Sequence, residues 1–271
     1  MITIKKIINF VRKNIIIAAF LALILFSFST FVYRLSFKKL TFIYAKVKLG
    51  QGLWWNAPSK PMFWMFSSIK KFDSEIDLLG KPIAQVQSIR YYPWYGGDQY
   101  DVILNIKFKV NKDNKTKEYN YKRYALRIGS PVELKLPNVY VTGTIIELSE
   151  KEFKDKYIDK TILLTKKNAY PWEYDIIKVG DTYFDGEETV LTILDKKTTS
   201  TYVLSGDTMG NYTGNSLEQK QYTTVKVKIK VKEKDGLLMY GEDHQIRPGR
   251  EVSISTPNVS FNGFMVSEIL E

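Results

Sequence analysis

Four aspartates offer the most direct route to acid-base or metal chemistry in this sequence: Asp73 and Asp77, and, 108 positions on, Asp181 and Asp185. Two carboxylates about 5 to 9.5 Å apart can divide general acid and base work on a glycosidic bond. Their recurrence at the entries of predicted strands argues instead for turn and capping roles, in which a short carboxylate accepts backbone N–H groups. The segment 205–216 gathers Asp207, Asn211 and Asn215 among glycines but lacks the acidic density of a calcium loop and reads as a loop. His244, beside Asp243, is the single histidine, and there is no cysteine. A thiolate nucleophile, a disulfide framework and a multi-histidine metal site are therefore excluded. No phosphate-cradling loop, dinucleotide fingerprint or nucleophile elbow is present. The expectation is a non-enzyme, with no catalytic residue, no metal and no cofactor.

Aromatic residues are the stronger candidates. Trp54 and Trp55 stand in GLWWNAPSKPMFW (52–64), and Tyr91, Tyr92, Trp94 and Tyr95 in YYPWYGG (91–97). The first pair suits a headgroup layer or a partner's membrane segment. The second group suits an exposed stacking surface for a sugar or a protein, or a joint between two domains.

What positions them is a duplication. LRIGSPVELKLPNVYVTG (126–143) and IRPGREVSISTPNVSFNG (246–263) match at an offset of 120 with seven identities, among them Gly129/Gly249 and Pro137-Asn138-Val139/Pro257-Asn258-Val259. Upstream, IKFKV (106–110) matches VKIKV (227–231), and Trp64, Ile69, Lys70, Asp73 and Asp77 match Trp172, Ile177, Lys178, Asp181 and Asp185. Shared residues read as scaffold, so Trp64 and Trp172 are expected to anchor cores, and unshared aromatics read as function. Period-two alternation in ILNIKFKV and VKVKIKVKEK predicts strands with one solvated, lysine-bearing face. A positive φ is expected at Gly129 and Gly249. The fold expected is mainly β: two tandem small barrel-like or sandwich-like domains, 41–150 and 156–271.

Ahead of them lie a basic tail (1–13) and a run without charge, glycine or proline, NIIIAAFLALILFSFSTFVY (14–33). About 20 apolar residues in a helix span the roughly 30 Å hydrocarbon layer, so 14–34 is read as an uncleaved, single-pass signal-anchor, a cleaved signal peptide being shorter and ending in small residues. The basic residues flanking it tie on the positive-inside count. The short basic tail and the absence of cysteine favour an extracytoplasmic C-terminal region. Net charge is +11, from 40 Lys/Arg and 29 Asp/Glu, and is concentrated before residue 150: residues 35–150 hold 18 basic and 10 acidic residues, and residues 151–271 hold 17 and 19. The lysines alternate rather than cluster, which argues against nucleic acid and leaves anionic lipid or a wall polymer as acidic partners.

The order apolar-Trp, Ile-Lys-x-x-Asp, strand, Arg-x-Gly-x-x-Val, Pro-Asn-Val, Gly resembles an uncharacterised bacterial family of membrane-anchored β-domain proteins, a domain of unknown function, in two tandem copies. That resemblance implies no activity, cofactor or catalytic residue. The Gly-x-x-Val strand also looks faintly like β-domains of periplasmic adaptor subunits, which usually carry long helical hairpins absent from this sequence. The function expected is a cell-envelope scaffold or docking subunit bound to the bilayer and to other envelope proteins or to itself. The alternative is a wall-glycan module using 91–97.

Overall fold

The computed structural model describes residues 14–36, 41–50, 60–94, 99–113, 115–122, 124–200, 204–206, 212–214 and 220–270. The basic tail, Trp54, Trp55, Tyr95, Asp207, Asn211 and Asn215 lie outside the described residues.

Helix α1 (Ile15–Ser36) is built from leucine, isoleucine, phenylalanine and alanine with no acidic residue. Its large apolar side chains from Ile15 to Phe28 are 47–82% exposed. Thr30 Oγ1 satisfies itself on the carbonyl of Ser27 at 2.9 Å, the local bond a hydroxyl makes where no other partner is at hand. Among the described residues no helix is long and apolar enough to cross a membrane.

Residues from Phe42 onward form a separate, mainly β unit. Its first half contains β1 (Thr41–Leu49), the one-turn helix α2 (Phe63–Phe66), β2 (Ser74–Ile76), β3 (Pro82–Pro93), β4 (Tyr100–Lys112), β5 (Tyr119–Tyr121), β6 (Tyr124–Ala125), β7 (Pro131–Lys135) and β8 (Tyr140–Ser149). The second contains β9 (Tyr157–Ala169), α3 (Pro171–Ile176), β10 (Thr182–Phe184), β11 (Thr189–Ser200), β12 (Leu204–Gly206), β13 (Tyr212–Gly214), β14 (Gln221–Lys234), β15 (Leu237–Tyr240), β16 (His244–Gln245) and β17 (Met265–Leu270). The first sheet runs β2-β3-β4-β1-β8-β7, with β5 and β6 attached to β4. The second runs β10-β11-β14 and on through β9 to β17, with β15 and β16 attached to β14. Both curl round a core of their own.

Sequence alternation explains the sheets. In β14, Val225, Val227, Ile229 and Val231 are fully buried while Lys226, Lys228 and Lys230 point away, each buried side chain contributing about 1.5–3 kcal/mol. The same hydrogen bonds then recur in both halves. Gly129 N–H donates to Ile145 O at 2.7 Å and Gly249 N–H to Val266 O at 2.8 Å, with φ of +86° and +79°. Val86 N–H meets Asp73 O and Ile193 N–H meets Asp181 O, both at 2.9 Å, and Leu126 to Tyr119 matches Ile246 to Leu238, both at 2.8 Å. Bulges fall at Val86/Ser88 in β3 and at Ile193/Asp195 in β11. These registers pair Arg90, Tyr91 and Tyr92 with Lys197, Thr198 and Thr199 as equivalent positions.

Two expectations need correcting. Trp64 and Trp172 are 65% and 59% exposed rather than core anchors. Both ride on a one-turn helix whose inward positions are taken by Phe66 and by the following Ile69 and Ile177, and Trp172 stacks on Tyr170 instead. The expected lysine-bearing face is partly solvated on β4, where Lys107 and Lys109 are half-exposed, but not on β1. The second half covers it, burying Lys46, Lys48 and Asp101.

Candidate functional site

The joint between the halves is built on Arg90, Tyr91 and Tyr92 at the end of β3. Asp185, fully buried in the turn between β10 and β11, holds that turn by accepting Glu187 N–H and Glu188 N–H, both at 3.0 Å on Oδ1. Its other oxygen accepts from Arg90 Nη1 and, at 2.9 Å, from Tyr92 Oη. Arg90 Nη2 reaches Glu188 at 2.9 Å. Tyr91 N–H donates to Asp185 O at 2.8 Å, and Tyr183 Oη donates to Tyr91 O at 2.9 Å. The ring of Tyr92 packs edge-on against Tyr240 at 5.2 Å, inside the second half's core. Two glycines allow this approach. A Cβ on Gly186 would lie 2.5 Å from Ile89 O, and one on Gly241 would lie 3.3 Å from the Tyr92 ring.

Around this centre lie buried ion pairs. Lys46 meets Glu147 and Asp155 at 3.0 Å and Glu242 at 3.4 Å, and Lys232 closes on Asp155 at 2.8 Å and on Glu242. Asp101 binds Lys60 at 2.7 Å and Lys48 at 3.0 Å. Its second oxygen faces His244 Nε2 at 3.7 Å, beyond hydrogen-bond length, so the lysines are the closer counter-charges. Burial pushes the Asp101 carboxyl up, but its cationic neighbours outweigh this and hold it below the usual range. For Asp155, burial is likewise outweighed by Lys232 and Lys46. A carboxylate whose pKa is depressed by folding stabilises the protein fully above its unfolded pKa of about 4, and that contribution disappears as pH falls through the folded value. The melting temperature of the full chain is therefore expected to drop as pH is lowered below about 4. Asp101→Asn should flatten that dependence in a thermal scan, and an unchanged acid slope would refute the assignment.

A cleft of about 570 Å³ opens beside the joint. The first half lines it with Phe63, Tyr91, Pro93 and Tyr100, and the second half with all of β10 and the stretch 255–260. Its wall carries aromatic rings, hydroxyls and the Asn258 amide, with no carboxylate, lysine or arginine. Successive strand residues point to opposite faces, so a cleft lined by Thr182, Tyr183 and Phe184 together runs along the strand's edge. Among the described residues that edge pairs with no further strand. The corresponding seam of the first half is plugged. Glu75, equivalent to Tyr183, is buried and accepts from Tyr121 Oη at 2.6 Å and from Lys122 Nζ at 2.6 Å. In the second half Tyr240 stands where Tyr121 does, and its hydroxyl is buried without a partner.

Of the aromatic candidates, Tyr92 is 2% exposed and cannot serve as a stacking surface, because the joint consumes its ring and hydroxyl. Tyr91 is half-buried and faces the cleft. Trp94 is half-buried, with Lys60 Nζ 3.2 Å from its ring centroid and the His244 ring 5.8 Å away. Asp73 and Asp77 keep turn roles, accepting Lys70 N–H and Leu79 and Lys81 N–H, whereas Asp181 accepts the side-chain amide of distant Asn258 and Asp185 serves the joint as well as its turn. No three His, Asp or Glu side chains among the described residues converge as metal ligands. Sequence reasoning missed Phe184 and 255–260, the latter because Pro257-Asn258-Val259 is shared and so reads as scaffold. The available signal was the substitution of Tyr183-Phe184 for Glu75-Ile76. No family model, curated protein or solved structure matches this chain.

Proposed function

We propose that this protein is a non-enzymatic docking subunit of the cell envelope, tethered to a bilayer by its apolar N-terminal helix. Its β unit stands outside the cytoplasm and receives an extended segment of a partner protein in the cleft along β10. The observation that carries the reading is the uncharged aromatic wall beside a strand edge that pairs with no further strand among the described residues. A free edge supplies backbone donors and acceptors for strand addition, and the flanking rings supply side-chain pockets. The tether rests on the uncharged run 14–33 and on the exposure of its apolar side chains.

A wall glycan is the less favoured occupant. Stacking on sugar faces asks for exposed, roughly coplanar rings, whereas Tyr91 and Tyr100 meet at 76°, Tyr91 and Tyr183 at 90°, and Phe63 and Tyr100 at 52°.

Phe63 and Phe184 are 58% and 51% exposed, so Phe63→Ala with Phe184→Ala leaves the fold intact. That double variant of the full chain, extracted in mild detergent, is expected to lose the protein partner that the parent retains. Retention of the partner argues against the cleft, and wild-type binding to isolated wall glycan that the double variant abolishes moves the reading to carbohydrate. The tether has its own check: the full chain should stay with membranes through alkaline carbonate washing, and a chain lacking residues 14–36 should not.

A further inference from the structure

We propose that the β unit docks on an anionic lipid surface, the turn between β2 and β3 entering the leaflet, an inference that rests on the bilayer tether proposed above. The turn carries Leu78, 105% exposed, and Leu79, 81% exposed, with Ile76 also exposed. Apolar side chains thrust this far into solvent mark a contact surface. Lysines stand beside them. Because β3 pairs with β4, Ala84 opposite Phe108, the hairpin after β4 lies next to the turn, and exposed Lys112, Lys115 and Lys117 of the hairpin join exposed Lys81 of the turn. The carboxylates here are engaged locally: Asp77 accepts Leu79 and Lys81 N–H, Asp113 accepts Lys115 N–H at 2.8 Å, and Glu118 pairs with Arg127. An apolar tip among lysines suits a bilayer surface, where burial of apolar area and attraction to anionic headgroups add.

Two comparisons with the second half favour lipid as the occupant. The first is chain direction. The second half docks through the end at which its chain enters: β9 begins there, Tyr157 opposite Lys232, and the turn at Gly186 meets Ile89 O and Tyr91. In the first half the corresponding end is also the entry. Phe42, at the start of β1, lies under Lys107 Nζ at 4.5 Å, whereas Lys48, late in β1, meets Asp101 near the start of β4. That start follows α1 by four residues of sequence, so a helix held in lipid delivers this end, and not the opposite one, to the surface. The second comparison is composition. The docked turn presents a glycine and two carboxylates, Glu187 and Glu188, to Lys71 and Arg90 of the first half. The first half's turn is one residue longer and presents two leucines and a lysine. One is fitted to a cationic protein face, the other to an apolar layer beneath anionic groups.

Because the chain has no cysteine, one introduced thiol can carry an environment-sensitive fluorophore. Full chains with Leu78→Cys or, as a control in the second half, Val179→Cys are labelled and reconstituted into vesicles of phosphatidylglycerol and phosphatidylcholine. Both side chains are exposed, so neither change disturbs the core. The label at 78 is expected to shift its emission to the blue and to be quenched by lipids spin-labelled high on the acyl chain, while the label at 179 does neither. Concentrated salt, which screens surface charge, should diminish the shift, and Lys81→Glu with Lys115→Glu and Lys117→Glu should abolish it. Protein that floats with the vesicles while the label at 78 stays in water overturns the docking and leaves the tether standing. Protein that fails to float overturns both. Equal responses at 78 and 179, or an undiminished response at 78 in phosphatidylcholine alone, also overturn the proposal.

Discussion

Asp185→Ala is expected to cost about 3–5 kcal/mol of folding stability, as loss of one partner from a buried ion pair does. Asp185 is fully buried and serves two jobs at once, the turn through Oδ1 and the joint through Oδ2. Its removal leaves Arg90 with Glu188 alone, takes the acceptor from Tyr92 Oη, and strips two N–H groups of the turn. The duplicated architecture provides a control. Asp77 holds the equivalent turn through Leu79 and Lys81 N–H but faces solvent, so Asp77→Ala should shift the urea midpoint only slightly. Equal losses in the two variants would show that the turn, and not the joint, is what Asp185 supports.

Gly186→Ala should be nearly as damaging, by about 3 kcal/mol, combining a φ near +107° that L-residues avoid with a Cβ placed 2.5 Å from Ile89 O. Backbone, not a flexible side-chain end, is what the methyl meets, so relief requires the halves to move apart. Gly80, at φ +75° with open space around its missing Cβ, isolates the conformational part: Gly80→Ala should cost only that fraction. Chemical unfolding of the two variants side by side measures the difference, and parity between them would mean that the halves do not press together at Gly186.

Much of the fold was written in alternation and repetition. Val225 to Val231 alternate with lysines because one face of β14 is core, and Gly129 and Gly249 recur because each makes a left-handed turn whose N–H donates to a strand carbonyl, Ile145 O and Val266 O. Alternation cannot say what lies beyond the polar face, however. Lys46 and Lys226 have the same pattern in sequence, yet one is buried among carboxylates of the joint and the other lies outside it. The tryptophans misled for a related reason: sharing Trp64 and Trp172 shows a common local design, a one-turn helix, without fixing which side chain of that helix turns inward. Tyr91 and Tyr92 were legible as unusual, and the joint was one reading of them, but their fully buried partner Asp185 looked identical to half-buried Asp77. The cleft was least legible, since it exists only where Tyr183 and Phe184 replace Glu75 and Ile76 and leave a seam open that the first half plugs.

Arg90, Tyr92 and Asp185 lock the two β halves into one cooperative body. Four of the five tryptophans precede residue 150, so fluorescence weights the first half while far-ultraviolet circular dichroism reports both. Urea unfolding of the full chain followed by both probes is expected to give one coincident transition, and Arg90→Ala should split it in two. Separate transitions in the unsubstituted protein would contradict the lock.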